Sequence, residues 1–322
     1  MTRINIRPLI HFLAVMDERS LGRAARRVNL SQPALSKSIR QLEASLGVEL
    51  FERSPLGMKP TNYSTLLAER ARIIVVEVNN AEEEIDRLRD RWRGSVSVGA
   101  GPSIVGALLA NATADLKTRH PGLRVTIIEG LLENHLPNLI NGSLDFVIGT
   151  AVEPALSHVI SEKLFVDSVV VVARAGHPLA KDHRIGLDKL SCLPFVLTRA
   201  PDAMRLMFER RLAEFAVDVP QDVVETNSIQ FMKALVAMTD YLAYLPRLAI
   251  QAEVRNNQLS VLSCPNLEWQ REVHILTRAR GGLSPAARAI LSCIKQTYRY
   301  TDLSAPSRFA VDLPDLPVRS QA

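Results

Sequence analysis

A chain of 322 residues, 47% of them apolar, can bury more than one hydrophobic core, so two or three domains are expected. Its apolar runs stop short of the ~20 uncharged residues that cross a bilayer, and residues 1–20 lack the apolar run and small-residue cleavage site of an export signal, which predicts a soluble protein kept in the cytoplasm and away from membranes. Charge is uneven: 39 Lys/Arg against 34 Asp/Glu give +5 overall, yet residues 1–60 alone hold ten against five, so the basic excess sits at the N-terminal end, where a phosphate-facing surface would need it.

In chain order, about Arg7–Asp17 reads as a first helix with Leu9, Phe12, Leu13 and Met16 on one face. Ser20 is a plausible N-cap for a second helix whose buried stripe is Leu21, Ala24, Ala25 and Val28. Asn29 and Leu30 make a turn, Ser31 caps a third helix, and Pro33 sits in its first turn, where a missing N–H costs nothing. Leu35, Ile39, Leu42 and Leu46 point that helix's apolar side inward, which leaves Gln32, Pro33, Ser36, Lys37 and Arg40 on its outer and leading positions, and Gly47 ends it. Two short helices about a tight turn, the second showing hydrogen-bonding side chains outward, describe a helix-turn-helix that enters a DNA major groove. Val48–Phe51 then leads into Ser54-Pro55-Leu56-Gly57, a short wing flanked by Arg53 and Lys59.

Residues 61–91 predict one long helix with Leu66, Leu67, Ile73, Ile74, Val78, Ala81, Ile85 and Leu88 at coiled-coil-like spacings. Such a stripe cannot be buried by the helix alone, and the simplest partner is its own copy in a dimer. From Trp92 short β runs alternate with helices, the sign of a doubly wound α/β fold: strands at 95–101, 123–130 and 144–149 with helices from about Ser103 to His120 and at 131–141, then a second half with strands at 166–174, 193–197, 222–226 and 241–245, helices at 202–216, 229–239 and 247–255, late strands in LSVLS and REVHILTR, and a last helix at 285–299. Two α/β halves joined by crossing strands form a hinged cleft, with ligands beyond the carboxyl ends of the strands. Residues 301–322 read as a loose tail.

AARRVNLSQPALSKSIRQLEASLGVELFER closely resembles the head of LysR-type transcriptional regulators, and HPGLRVTIIEG, NGSLDFVIG and ARAGHPLA follow in the order that family shows, so the resemblance spans about residues 5–300. It implies an all-α winged helix-turn-helix over 1–60, a dimerising linker helix over 61–91, and an effector-binding domain over 92–300 like a type 2 periplasmic binding protein. Within it, subdomain I takes about 92–165 and 267–300 and subdomain II about 166–266. Homodimers and homotetramers on promoter DNA, a small-molecule effector and an encounter with RNA polymerase are the partners it implies; no cofactor, metal or catalysis is expected. By position, Gln32, Pro33, Ser36 and Lys37 would face base edges and phosphates, and Arg53 would reach the minor groove. Ser31, Arg40, Lys59 and Thr61 would hold phosphates. Where many relatives read L-T-P-A-G after the wing, this chain has Pro60-Thr61-Asn62-Tyr63-Ser64. For the effector, the strand ends offer Ser103 at a helix N-terminus, Leu131 where several relatives have a hydroxyl, Arg199 to pair with a carboxylate or phosphate, and Thr226 and Ser228.

The competing enzyme reading is an NAD(P)-dependent oxidoreductase, since Gly99-Ala100-Gly101 follows a strand and Glu129 ends the next; the third glycine of that fingerprint falls on Ile104 instead. A transport solute receptor is a second alternative, opposed by the basic head. The seven histidines form no metal motif, and Cys192, Cys264 and Cys293 are too far apart in sequence for one, which favours a reducing compartment and packed thiols.

Overall fold

The computed structural model describes residues 5–54, 57–88, 94–150 and 158–300. Pro55 and Leu56 of the wing tip, Trp92 at the expected start of the third region, and the expected tail at 301–322 lie outside the described residues, as does the side chain of Arg53.

The head begins with α1 (Ile6–Glu18), whose Leu9, Phe12 and Val15 are buried, and ends it at Arg19, in the left-handed region at φ 52°. α2 (Leu21–Arg27) is capped by Ser20 Oγ accepting the Arg23 N–H, and Asn29 turns the chain at φ 55°. α3 (Gln32–Leu46) starts at Ser31, whose hydroxyl accepts the Ala34 N–H, and stops at Gly47 at φ 73°. Leu35, Ile39 and Leu42 are at most 3% exposed, each contributing ~1.5–3 kcal/mol by leaving water. β1 (Phe51–Ser54) and β2 (Gly57–Pro60) pair antiparallel as the wing, with Arg53 opposite Met58. The Met58 N–H donates to the Arg19 carbonyl, and Gly57 is required there: a Cβ would lie 2.5 Å from the Arg19 oxygen, at a φ of 119°.

α4 (Asn62–Leu88) is one 27-residue helix. Its apolar stripe divides. Ala68 and Ala71 join the head core, and Arg72 reaches Asp17 at 2.6 Å. Ile73 and Val76 are half-buried toward the same chain's third region, where Glu77 accepts the Gly282 N–H, Asn80 donates to the Gly282 carbonyl and Glu84 pairs with Arg288 at 2.7 Å. Ile74, Val78, Ile85 and Leu88 stay exposed, so the helix packs on its own chain along one face and leaves a second apolar face bare.

The third region holds β3 (Ser95–Ala100), α5 (Pro102–Ile104), a π-helical turn at Val105–Leu109, α6 (Ala110–Arg119), β4 (Arg124–Glu129), α7 (Leu132–Ile140), β5 (Phe146–Thr150), β6 (Val159–Arg174), α8 (Leu187–Ser191), β7 (Phe195–Leu197), α9 (Ala203–Glu214), β8 (Val223–Glu225), α10 (Ile229–Met238), β9 (Leu242–Pro246), α11 (Gln251–Arg255), β10 (Leu259–Val261), β11 (Trp269–Arg278) and α12 (Pro285–Tyr300). The sheet runs β4-β3-β5-β11-β6-β9-β7-β8, with β10 also on β6. β3, β4 and β5 are parallel, as are β8, β7 and β9, while the two long strands β6 and β11 run antiparallel through the middle. Their register shifts between Val273 and His274, leaving Leu164 as the extra residue of a bulge, the device by which a sheet bends. One apolar core lies under β3, β5, α6 and α12; two more flank the strands of the second half.

Three features differ from the sequence expectation. β6 starts at Val159 and not near 166, because Ile160–Lys163 are exposed and read as polar. The expected helix from Ser103 carries the π turn inside it. Residues 247–255, expected as one helix, open with a 3₁₀ turn at Arg247–Ile250 before α11.

Candidate functional site

On the head, Gln32, Pro33, Lys37 and Arg40 are exposed along the start and outer side of α3, and Ser36 is half-buried among them. Lys37 and Arg40 make no ion pair with any described residue. The basic side chains behind them are paired instead, Arg27 with Asp17 at 3.0 Å and Arg23 with Glu18 at 3.3 Å. Exposed cations without a carboxylate partner among the described residues suit a polyanion approaching from the α3 side. Glu43 Oε1 accepts the N–H groups of Leu50 and Phe51, at 2.8 and 3.3 Å, which fixes the wing to α3. His11 Nδ1 lies 2.7 Å from Ser38 Oγ and ties α1 to α3; burial first, and then Arg7, holds its pKa below the ordinary value. Lys59 is exposed on the wing, 3.7 Å from Glu52, a surface pair worth little. Thr61 is turned inward: its hydroxyl donates to the Glu49 carbonyl at 2.9 Å and accepts the Ser64 N–H.

Between the two halves of the sheet is a cavity of about 540 Å³. Ser103, Leu131 and Arg199 all line it. Thr226 and Ser228 are not on its wall: Thr226 Oγ1 accepts the Ser228 N–H, and Ser228 Oγ caps α10 by accepting the Phe231 N–H. The residue between them, Asn227, lines the cavity, and its Oδ1 accepts the Arg199 N–H at 3.1 Å. Asp202 caps α9 and accepts the Thr198 hydroxyl at 2.9 Å.

At the cavity floor stands a group the sequence reading missed. Arg271 of β11 donates Nε and Nη2 to Asp167 Oδ2 at 3.2 and 2.8 Å, and Nη2 also to Ser103 Oγ at 2.8 Å. Asp167 Oδ1 accepts the Leu248 N–H. The Arg271 side chain is 10% exposed and that of Asp167 is 0%. A signal was present: Trp269, Arg271 and Val273 share one phase of β11, and Phe165, Asp167 and Val169 one phase of β6, so an acid and a base each stand in an otherwise apolar row.

Gly99, half of the weak dinucleotide signal, has a packing reason: a Cβ there would meet Leu144 and the buried His135 ring at 2.8–2.9 Å. The thiols of Cys264 and Cys293 are buried, which pushes their pKa values up to about 12 and about 11, and Cys192 is exposed. Among the described residues no cluster of His, Cys, Asp and Glu could hold a metal, and no helix is long and apolar enough to cross a membrane.

Residues 6–64 match the bacterial regulatory helix-turn-helix proteins of the lysR family, and residues 89–299 match the LysR substrate binding domain. The chain belongs to the LysR family. It is a sequence-specific DNA-binding transcriptional regulator whose C-terminal domain takes a small-molecule effector that modulates promoter binding. Among curated LysR relatives, the HTH-type transcriptional regulator GalR of Pseudomonas putida is 30% identical over 287 residues, 88% of this chain and 72% of the relative. The SDS degradation transcriptional activation protein of a Pseudomonas species is 30% identical over 298 residues, 90% of this chain and 95% of the relative. In fold, this LysR-family chain resembles a full-length OxyR variant from Pseudomonas aeruginosa, with a TM-score of 0.69 at 23% identity over 94% of this chain and 97% of that one. It also resembles LysG from Corynebacterium glutamicum with bound arginine effector, with a TM-score of 0.64 at 15% identity over 92% and 99%.

Proposed function

We propose that this regulator reads its operator with Gln32, Pro33, Ser36 and Lys37 in the major groove and Arg53 in the minor groove, while Ser31, Arg40 and Lys59 position the head on phosphates. The observation that carries this reading is the α3 surface, where exposed polar side chains and basic ones with no ion pair among the described residues stand opposite a buried Leu35–Ile39–Leu42 row. Gln pairs bidentately with adenine, Lys donates to guanine, and a proline ring meets a thymine methyl. Because the Thr61 hydroxyl is occupied, its part in phosphate binding falls to the N–H groups of α4's first turn. Gln32→Ala and Lys37→Ala should each weaken cognate binding by ~1–3 kcal/mol more than binding to random duplex, read by titration at fixed salt. Equal losses on both DNAs would confine these residues to phosphate contacts.

The division proposed is a head over 1–60, a linker over 61–91, and an effector domain over 92–300 whose two subdomains, 92–165 with 267–300 and 166–266, meet at the β6–β11 bulge. Two chains pair through the bare α4 face at Ile74, Val78, Ile85 and Leu88, which sets two heads on half-sites ~34–36 Å apart. Pairs of dimers make the tetramer at the promoter, where RNA polymerase is met, and the protein works in the cytoplasm. The effector sits in the 540 Å³ cleft against Ser103, Leu131 and Arg199, with Asn227 in the place expected of Thr226 and Ser228. Its binding and DNA binding are linked reciprocally, typically by ~1–3 kcal/mol. Ile74→Glu with Ile85→Glu should give a monomer by light scattering with the fold intact by circular dichroism; a dimer of the double variant would take the interface away from α4.

A further inference from the structure

Where the linker helix α4 meets its own chain's effector domain there is a second recess, of about 300 Å³. From α4 it takes Glu69, Arg70 and Ile73. The effector domain supplies Ile140 at the end of α7, His158, and Arg278, Ala279 and Arg280 where β11 runs out. It shares no residue with the cleft between the two halves of the sheet. Charge in it does not balance: three guanidiniums stand with one carboxylate, that of Glu69. Arg70, Arg280 and His158 are exposed, and none of them, nor Glu69, makes an ion pair with a described residue. Arg278 is the fixed member, since its Nη1 donates to the carbonyls of Leu139 and Leu144 at 3.3 and 2.5 Å. Burial draws its pKa down, and Asp145 and then Glu77 draw it back. Both of those carboxylates serve other donors, Asp145 accepting the Ser97 N–H and Glu77 the Gly282 N–H. Arg278 Nε is buried with no partner among the described residues.

Like charges gathered at a concave surface raise the local potential and draw an anion in. These come from two sides, Arg70 from α4 and Arg278 and Arg280 from the effector domain, so the anion that suits them has acceptors in several directions. A planar carboxylate satisfies one fork; a phosphate group carries up to two charges and presents oxygens all round. Two charges also match three guanidiniums less Glu69. Ile73 and Ile140 add an apolar strip that would cover the carbon body of an ester. We infer that this recess binds a phosphate group, free or as the head of a small monoester, held between Arg70 of the linker helix and Arg278 and Arg280 of the effector domain. Its occupant joins α4 to the effector domain beside the Glu77–Gly282 hydrogen bond, and so stiffens that junction.

The full-length protein, free of DNA, is titrated by calorimetry at fixed ionic strength with inorganic phosphate, glycerol phosphate and succinate. Inorganic phosphate or glycerol phosphate should bind saturably below ~1 mM, and whichever binds more tightly names the source of the group. Succinate, a dianion with planar heads, should bind at least ~10-fold more weakly. Arg70→Gln and Arg280→Gln, at exposed positions where the fold has little to lose, should each weaken phosphate binding by ~10-fold or more. Arg124→Gln, which removes an exposed arginine outside the recess, should leave it unchanged. Bound phosphate should also slow hydrogen exchange at the Gly282 amide, and the double variant Arg70→Gln with Arg280→Gln should abolish that slowing. No binding of either phosphate compound by ~1 mM, or succinate bound as tightly, overturns the ligand class. Phosphate binding that persists in the double variant but is lost in Arg40→Gln or Arg199→Gln belongs to the head or the cleft, and overturns the site.

Discussion

The head and the effector domain hold their charges in opposite ways. On α3, Lys37 and Arg40 stand exposed with no counter-ion among the described residues, while in the cleft Arg271 is nearly dry and held by an aspartate that is wholly so. The first arrangement is inexpensive until a polyanion arrives, since an exposed cation keeps its hydration. The second exists only because its partner lies beside it, as a desolvated charge without one is strongly destabilising. Surface charge of the first kind stays open to whatever docks; buried charge of the second kind ties two strands together beneath the cleft.

The sharpest way to break this contrast is Asp167→Ala, which strands Arg271 and the Leu248 N–H and should lower effector-domain stability by ~3–5 kcal/mol in urea titration. A loss as small as that of an exposed pair would mean water already reaches the site. On the head, Ser31→Ala removes the α3 cap and should cost ~1 kcal/mol, seen as a lower melting temperature with the DNA preference unchanged. A changed base preference would give Ser31 a reading role.

The smallest effect sharpens the head alone. Burial and Arg7 depress the His11 pKa in the folded state, so on acidification the unfolded chain takes up the proton first. Head stability should therefore be level above pH 6.5 and fall as pH drops from there through the folded value. Urea midpoints of the chain and of His11→Gln at several pH values check this; a midpoint that rises on acidification in the wild-type head alone would show that His11 prefers its charged form.

The head was largely legible from residue spacing. Ser20, Ser31 and Gly47 cap the helices where helix-end chemistry expects them, because a cap depends on neighbours within one turn. The alternation of strands and helices after residue 94 was legible for the same reason. What escaped depends on partners far along the chain. Asp167 and Arg271 meet across 104 positions, and each alone looks like a stray charge in a strand. The first half of β6 escaped because its exposed polar side chains pair with His274, Lys295 and Glu272, partners far along the chain, and so carry no apolar alternation. Asn227 lines the cavity and Thr226 and Ser228 do not, since a strand-end turn, which spacing does not specify, decides which of three successive side chains faces inward.

β11 is shared in a further way. It carries Arg271 near its start and ends at Arg278, and a few residues on, the backbone of Gly282 is gripped by Glu77 and Asn80 of α4. The rod that floors the cleft is thus moored at its other end to the stalk below the helix-turn-helix head. Torque applied at Arg271 has a short covalent path to that mooring, without crossing any subunit boundary.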